Sequence, residues 1–401
     1  MNTGRKISRK LYRMPEGYNR LLHYTVIVLS IFGVIMQVSA SMDSTRVTMA
    51  RLLRTALKQV IIFVVSYFGM IAAANYFNWT FLKKIYNNMV IGIGVLLVAT
   101  LMSSAVGGSN GWIIIPIINV SMQPSEFAKL AMILIVASNL GDNKRTKGTW
   151  VDIMKKPFII FLIYFMIVLV LQRDFGSAMV LMLITAVCCL VPENRLLRPG
   201  QRLIVAGIVA FVMLMMFLLS EKGLALLDHL PALKYQVVRF KAAVNPFTNR
   251  YGTGYYDLVN SLIAFNTGGL FGVGLGKSLR KYGYISAAYS DFIMAVVAEE
   301  LGFAGFMFVV VCYIIIIGSI IYFAMQTDNE RVKVVAVGVA MYYMIHFIFN
   351  VGGVTCFIPL TGIPLLLVSS GGSSSLTAMV SVGIVQSFIA RHNRKVTFSG
   401  E

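Results

Sequence analysis

The amino-acid sequence predicts an all-α polytopic membrane protein with ten transmembrane helices and a long outer loop between helices seven and eight. Three observations support that class. Apolar residues make up 58% of the 401-residue chain and charged residues only 13%, about half the roughly 25% of a soluble domain. Apolar runs long enough to cross a bilayer recur from end to end. Between them the basic residues fall in short clusters, the pattern of cytoplasmic loops. The same composition excludes a disordered chain, which would be poor in apolar residues. A net charge of +19 suggests nucleic acid at first sight. Charge scattered among apolar runs forms no single basic face, so no nucleic-acid partner is expected.

The runs lie near residues 22–40, 55–76, 88–106, 124–140, 157–171, 175–192, 202–220, 291–324, 333–352 and 374–390. The first follows a basic arm, residues 1–21, with Arg5, Lys6, Arg9, Lys10, Arg13 and Arg20. It is about 20 residues long, enough to span, and no cleavable leader is expected. Residues 22–395 are expected to form one membrane domain, and 396–401 a short cytoplasmic tail. With the N-terminus inside, the inner segments hold 21 basic residues; the short outer loops hold only Arg46, Arg51, Arg54 and Arg173. That asymmetry places both termini in the cytoplasm. The long segment at about 221–290 is then outside. Long loops are exempt from the charge rule and are where function concentrates. The four cysteines, Cys188, Cys189, Cys312 and Cys356, form no CxxC pair; they are expected to pack rather than to bridge or bind zinc.

Charge within or at the edge of a membrane is costly, so each instance is a candidate for function. The acids in question are Glu126, Asp174, Asp291, Glu299 and Glu300. Glu299 and Glu300 lie about two helical turns beyond Asp291, roughly 12 Å deeper at 1.5 Å per residue. Four stretches hold these acids or the unusual loops. The first, residues 251–291, is dense in glycine, with Arg239, Lys241 and Arg250 before it and Lys277, Arg280 and Lys281 within. It reads either as a compact solvated loop on the bilayer or as a groove for an anionic lipid headgroup. The second runs from Gly352 to Leu376. Pro359, Gly362, Pro364, Gly371 and Gly372 break any simple helix there, and non-helical backbone at membrane depth survives only where protein or a cavity shields it. Thr361 and the hydroxyls of Ser373 and Ser374 fall in this loop, the serines offering donors to a sugar or phosphate.

In the third stretch, Met122 to Leu130, Pro124 suits a helix start and Glu126 favours the helix dipole. Glu126 and Lys129 are spaced to pair on one face. In the fourth, Gln172 to Leu181, Asp174 is placed to cap the following helix.

Together these stretches resemble the SEDS family, the shape, elongation, division and sporulation proteins. Gln123-Pro124-Ser125-Glu126 matches the family's QPSE, and Gln172-x-Asp174-x-Gly176 its QxDxG. Asp291-Phe292-Ile293 followed by Glu299-Glu300-Leu301-Gly302 resembles its DFI and EELG helix. Pro359-x-Thr361-Gly362-x-Pro364 and Gly371-Gly372-Ser373-Ser374 match its P-x-TG-x-P and GGSS. The resemblance covers about residues 20–395, with the motifs in the family's order. Three stretches depart from the pattern: Ser109 to Trp112, Ser286 to Ser290 and Leu366 to Ser370.

The resemblance implies ten helices and polymerisation of lipid II, the undecaprenyl-pyrophosphate disaccharide-pentapeptide, outside the bacterial cytoplasmic membrane. It implies a class B penicillin-binding protein as partner, contact with membrane lipids, and a role in elongation, division or sporulation. It makes Asp291 the essential acid, expected to act as general base. Arg239, Lys129, Glu126, Ser373 and Ser374 are the substrate-contact candidates. The cation requirement, Mg²⁺ or Mn²⁺, stays open because no cluster has clear metal-ligand spacing. Two other readings remain: a transporter that flips the lipid-linked precursor, and a non-catalytic scaffold for the crosslinking enzyme. Flipping would move lipid II without a glycan product, and a scaffold would tolerate Asp291→Ala.

Overall fold

The computed structural model describes residues 13–42, 49–103, 109–115, 120–141, 148–228, 234–249, 252 and 254–399. The arm up to residue 12, Arg46, Lys144, Arg145, Lys147, Arg250 and residues 400–401 of the tail lie outside the described residues.

Thirteen helices occupy most of the described chain. They are α1 (Arg20–Ala40), α2 (Met49–Tyr76), α3 (Trp79–Ala99), α4 (Pro124–Leu140), α5 (Trp150–Met166), α6 (Phe175–Leu190) and α7 (Arg198–Leu218). After these come α8 (Glu221–Asp228), α9 (Lys234–Val244), α10 (Tyr256–Gly268), α11 (Ile293–Gln326), α12 (Glu330–Val354) and α13 (Gly372–Ser399). Eight of the described helices are long and apolar enough to cross a membrane. The 17-residue α4 and the 16-residue α6 are shorter, and most of their side chains are buried. An unforeseen antiparallel hairpin precedes α4, pairing β1 (Ile113–Ile115) with β2 (Val120–Met122).

The expectation of one long loop at residues 221–290 is refined by the structure. The segment is not one loop, because α8, α9 and α10 fold within it. Several helix starts also fall earlier than the apolar runs, by most at α3 and α5. The Asn78 side chain accepts the Phe81 N–H at 2.6 Å, so α3 begins nine residues before the run at 88 and takes in Lys83 and Lys84. A capping box between Thr149 and Asp152 starts α5 seven residues before 157. Hydropathy marks the apolar stretch, whereas capping side chains mark the helix end.

At the centre, α4 packs on α6 and α12, α13 runs along α2, and α11 meets α1, α10 and α12. By contrast, α7 buries only Gly200 and leaves Leu203, Met213 and Met216 exposed, as suits an outer helix bathed in hydrocarbon. Two local breaks position the functional loops. The last turn of α5 widens to a π-helix at Ile167–Leu171, and Arg173 takes a left-handed φ of 55°, which turns the chain tightly into α6.

The second break is at Gly302, where α11 leaves helical geometry with φ 66°. The carbonyls of Glu299 and Glu300 then accept from Val273 and Gly274, while Phe303 and Ala304 donate to Gly269 and Leu270. Those four main-chain bonds satisfy groups that the broken helix would otherwise orphan. The glycine-rich segment therefore runs alongside α11, tied to it through main-chain bonds.

Candidate active site

The site forms where the non-helical chain from Thr355 to Gly371 meets the start of α11. Asn350, near the end of α12, ties the two together: its Nδ2 donates to the carbonyls of Asp291 and Ile363, each at 2.9 Å. The Ser369 hydroxyl donates to the Ser290 carbonyl at 2.6 Å and accepts from the Leu365 N–H at 2.8 Å. Ser370 N–H donates to the Tyr289 carbonyl at 3.0 Å. Bonds to the carbonyls of Tyr289, Ser290 and Asp291 thus hold the chain leading into α11 against the loop. Its carboxylate is not spent as a helix cap, because α11 begins at Ile293 with Phe292 at the N-cap and no side-chain bond.

Arg239, on α9, donates from Nη1 to the Leu360 carbonyl at 2.8 Å. Between the two charged side chains lies Gly362. A Cβ added there would sit 3.6 Å from Asp291 Oδ2 and 3.9 Å from Arg239 Nη1, and Gly362 also has φ 73°. Glycine alone supplies both that backbone and that open space. Asp291 keeps some exposed surface but is densely surrounded. Burial pushes its carboxyl up to about 6; the charges of Asp174 and Asp257 push the same way, while Arg239 and a hydrogen bond from Ser290 oppose the rise. A carboxylate so tuned suits general-base work near neutral pH.

The QPSE, QxDxG and GGSS motifs converge beside this loop. Gln123 Nε2 donates to Asp174 Oδ2 at 2.8 Å and to the Ser177 hydroxyl at 3.1 Å. Gln123 N–H donates to the Ser373 hydroxyl at 3.0 Å. Asp174 Oδ1 accepts the Ser177 N–H at 2.9 Å, the expected cap of α6. Pro124 opens α4 as expected. Gly176 lets α6 pass the Thr361 carbonyl, since a Cβ would approach that oxygen to 2.5 Å. Ser374 donates to the Gly371 carbonyl at 3.2 Å, at the start of α13. The hydroxyls of Ser125 and Thr361 are buried without a hydrogen-bond partner.

Glu126 and Lys129 form the expected i,i+3 pair at 2.6 Å, both fully buried. Tyr342 donates its hydroxyl to Glu126 Oε2 at 2.7 Å, and His346 Nε2 lies 3.3 Å from Lys129 Nζ. Buried this way against α12, the pair presents no open face to a substrate. Tyr342, His346 and Asn350 escaped the sequence reading. Their signal is polar side chains four apart on one face of an apolar span.

Glu299 and Glu300 are kept apart from Asp291 by their partners. Glu299 accepts from the Ser278 hydroxyl and from the N–H groups of Leu279 and Arg280. Glu300 accepts from Lys281 Nζ at 2.8 Å and from the Ser39 hydroxyl at 2.7 Å. Lys281 is fully buried, so it does not line a headgroup groove. Among the described residues no group of three or more His, Cys, Asp or Glu side chains could hold a metal ion.

Comparison with known proteins follows the same lines. The chain is 31% identical over 390 residues to a Haemophilus influenzae protein named "Probable peptidoglycan glycosyltransferase FtsW", covering 92% of this chain and 90% of that one. It is 29% identical to the Bacillus subtilis protein of the same name, over 94% and 91% of the two chains. Among solved structures it matches a component of a peptidoglycan synthase complex with TM-score 0.69 and 20% identity, over 94% of this chain and 98% of that one. The rod shape determining protein RodA of Thermus thermophilus matches with TM-score 0.63 and 20% identity, over 93% and 96%. With the cell cycle protein family of FtsW, RodA and SpoVE matching residues 19–395, this multi-pass membrane chain belongs to that family.

Proposed function

We propose that this protein is a peptidoglycan glycosyltransferase that polymerises lipid II into glycan strands at the outer face of the bacterial cytoplasmic membrane, with Asp291 as general base. The observation that carries the reading is the convergence of Asp291 and Arg239 on Gly362, within a loop bonded to the start of α11. In this reading ten helices cross the membrane, α4 and α6 included. Both termini are cytoplasmic and α8, α9 and α10 lie outside. Residues 22–395 are the membrane domain, between the arm 1–21 and the tail 396–401.

The Asp291 carboxylate takes the proton from an acceptor sugar hydroxyl. The oxygen attacks the anomeric carbon of a second lipid-linked sugar. A glycosidic C–O bond forms as the bond to the diphosphate breaks, and undecaprenyl diphosphate leaves with the bonding pair. The Arg239 guanidinium stabilises the leaving charge, a term that strengthens in a low-dielectric site. No step is derived through a metal ion. Relatives named as glycosyltransferases support the activity. A fold like that of a component of a complex described as coordinating polymerization and crosslinking supports a class B penicillin-binding partner.

The test is a polymerisation assay on labelled lipid II. Wild type and Asp291→Ala are purified with and without a co-expressed class B partner, and assayed with and without Mg²⁺ or Mn²⁺. Long glycan from wild type and none from the variant is expected. Equal product from both would remove Asp291 from the mechanism. Absence of product from either, partner present, would favour the flippase or the scaffold.

A further inference from the structure

His346 sits on α12 one turn beyond Tyr342 and one turn before Asn350, fully buried. Its Nδ1 lies 3.0 Å from the Pro364 carbonyl. A carbonyl only accepts, so Nδ1 carries the hydrogen. Its Nε2 lies 3.3 Å from Lys129 Nζ. An ammonium only donates, so Nε2 offers its lone pair. The two contacts together assign one neutral tautomer. Lys129 also donates to Glu126, which accepts from Tyr342. A continuous bonded chain therefore runs from Tyr342 through Glu126, Lys129 and His346 to Pro364, two residues past Gly362.

We infer that His346 is a positioning residue: through Lys129 on one side and Pro364 on the other, it holds the Thr355–Gly371 loop where Gly362 faces Asp291 and Arg239. Its kinetic consequence rests on the proposed polymerase reading; its structural consequence does not. Histidine suits the place because one rigid ring presents an acceptor and a donor on different edges. Leucine fills the volume but leaves the Pro364 carbonyl unpaired and a Lys129 donor unused. Glutamine presents a carbonyl oxygen and an amide N–H, and so serves both contacts.

The experiment compares full-length wild type, His346→Leu and His346→Gln. One readout is the alkylation rate of Cys356 by a membrane-impermeant maleimide. Cys356 lies in the same loop and is partly exposed, while Cys188, Cys189 and Cys312 are buried. The other readout is steady-state polymerisation. His346→Leu is expected to change the Cys356 rate about threefold or more, and to lower kcat about tenfold with little change in KM, the pattern of lost alignment. His346→Gln is expected to restore both to within about twofold of wild type, since it keeps both bonds.

A wild-type labelling rate in His346→Leu, or a glutamine variant as disturbed as the leucine one, would overturn the inference. A wild type that makes no glycan would sink the polymerase reading, while labelling would still decide the role of His346. Should His346→Leu fail to accumulate, His346→Asn is measured in its place. It keeps a donor near Pro364 and withdraws the acceptor from Lys129, so wild-type behaviour from it would equally overturn the link.

Discussion

Gln123 and Asp174 are 51 residues apart in sequence and meet at 2.8 Å, amide nitrogen to carboxylate oxygen. One Asp174 oxygen caps α6 through Ser177, while the other receives Gln123 at the threshold of α4. The single carboxylate therefore fastens two buried helices beside the Thr361 loop. Asp174→Ala removes a cap and an ionic hydrogen bond, a loss of about 2–3 kcal/mol. Asp174→Asn keeps an acceptor for Ser177 but turns an NH₂ toward the Gln123 amide nitrogen, so it is expected to cost less than alanine because the cap survives while the Gln123 bond is lost. Thermal unfolding of the purified variants in one detergent checks the order; equal midpoints would show that the contact contributes nothing.

The pH profile of polymerisation follows from the surroundings of Asp291. As base it must be ionised, so the rate should fall as pH drops through about 6. Asp174 raises that value by its negative charge and Arg239 lowers it. Asp174→Asn should move the acid limb to lower pH, and Arg239→Gln should move it to higher pH while also lowering the plateau. Rates measured from about pH 5 to 8 decide it, since a general base imprints its ionisation on the acid limb. Coincident limbs in all three proteins would exclude Asp291 as the titrating group.

How much of this was legible beforehand depends on the type of signal. Asp291, Asp174 and the Glu126–Lys129 pair stood out because charge is rare in apolar runs and local spacing determines local pairing. Arg239 was legible only through resemblance, since nothing in its own surroundings in sequence brings it to a loop some 120 residues later. His346 and Asn350 were missed for the opposite reason: inside a long apolar run they look like ordinary polar interruptions, and their meaning lies in carbonyls of a different segment. The interlock of residues 269–274 with α11 was equally hidden. It uses main-chain groups, which every residue carries, and only the break at Gly302 frees them.

Gly362 gives the sharpest single-atom test of the site. Alanine there adds one methyl group between Asp291 and Arg239 and forces a side chain into the left-handed region. The backbone penalty is about 1–2 kcal/mol. The larger effect should be on turnover, because a methyl group close to both charged ends displaces the substrate they would share. Activity is expected to fall about a hundredfold, with a loss of stability too small to account for it. A Gly362→Ala protein that polymerises at the wild-type rate would show that the space between the two side chains is not used.

Lys281 and Glu300 form a buried ion pair at 2.8 Å, with Ser39 bonded to both. Glu300 lies near the break in α11, and Lys281 follows the glycine-rich run bonded there, its Nζ donating to the Gly276 carbonyl at 2.9 Å. Removing one charge leaves the other desolvated and uncompensated, which costs about 3–5 kcal/mol. Lys281→Met alone, or Glu300→Gln alone, should therefore lower the unfolding midpoint strongly. Replacing both removes the two charges together, and Lys281→Met/Glu300→Gln should lie closer to wild type than either single variant, a coupling that a double-mutant cycle isolates. Additive losses would mean that each side chain acts through separate contacts, Lys281 through the Gly276 carbonyl at 2.9 Å and Glu300 through Ser39. A recovered double variant that still polymerises lipid II would place the pair in the architecture that carries the loop, separate from the proton transfer at Asp291.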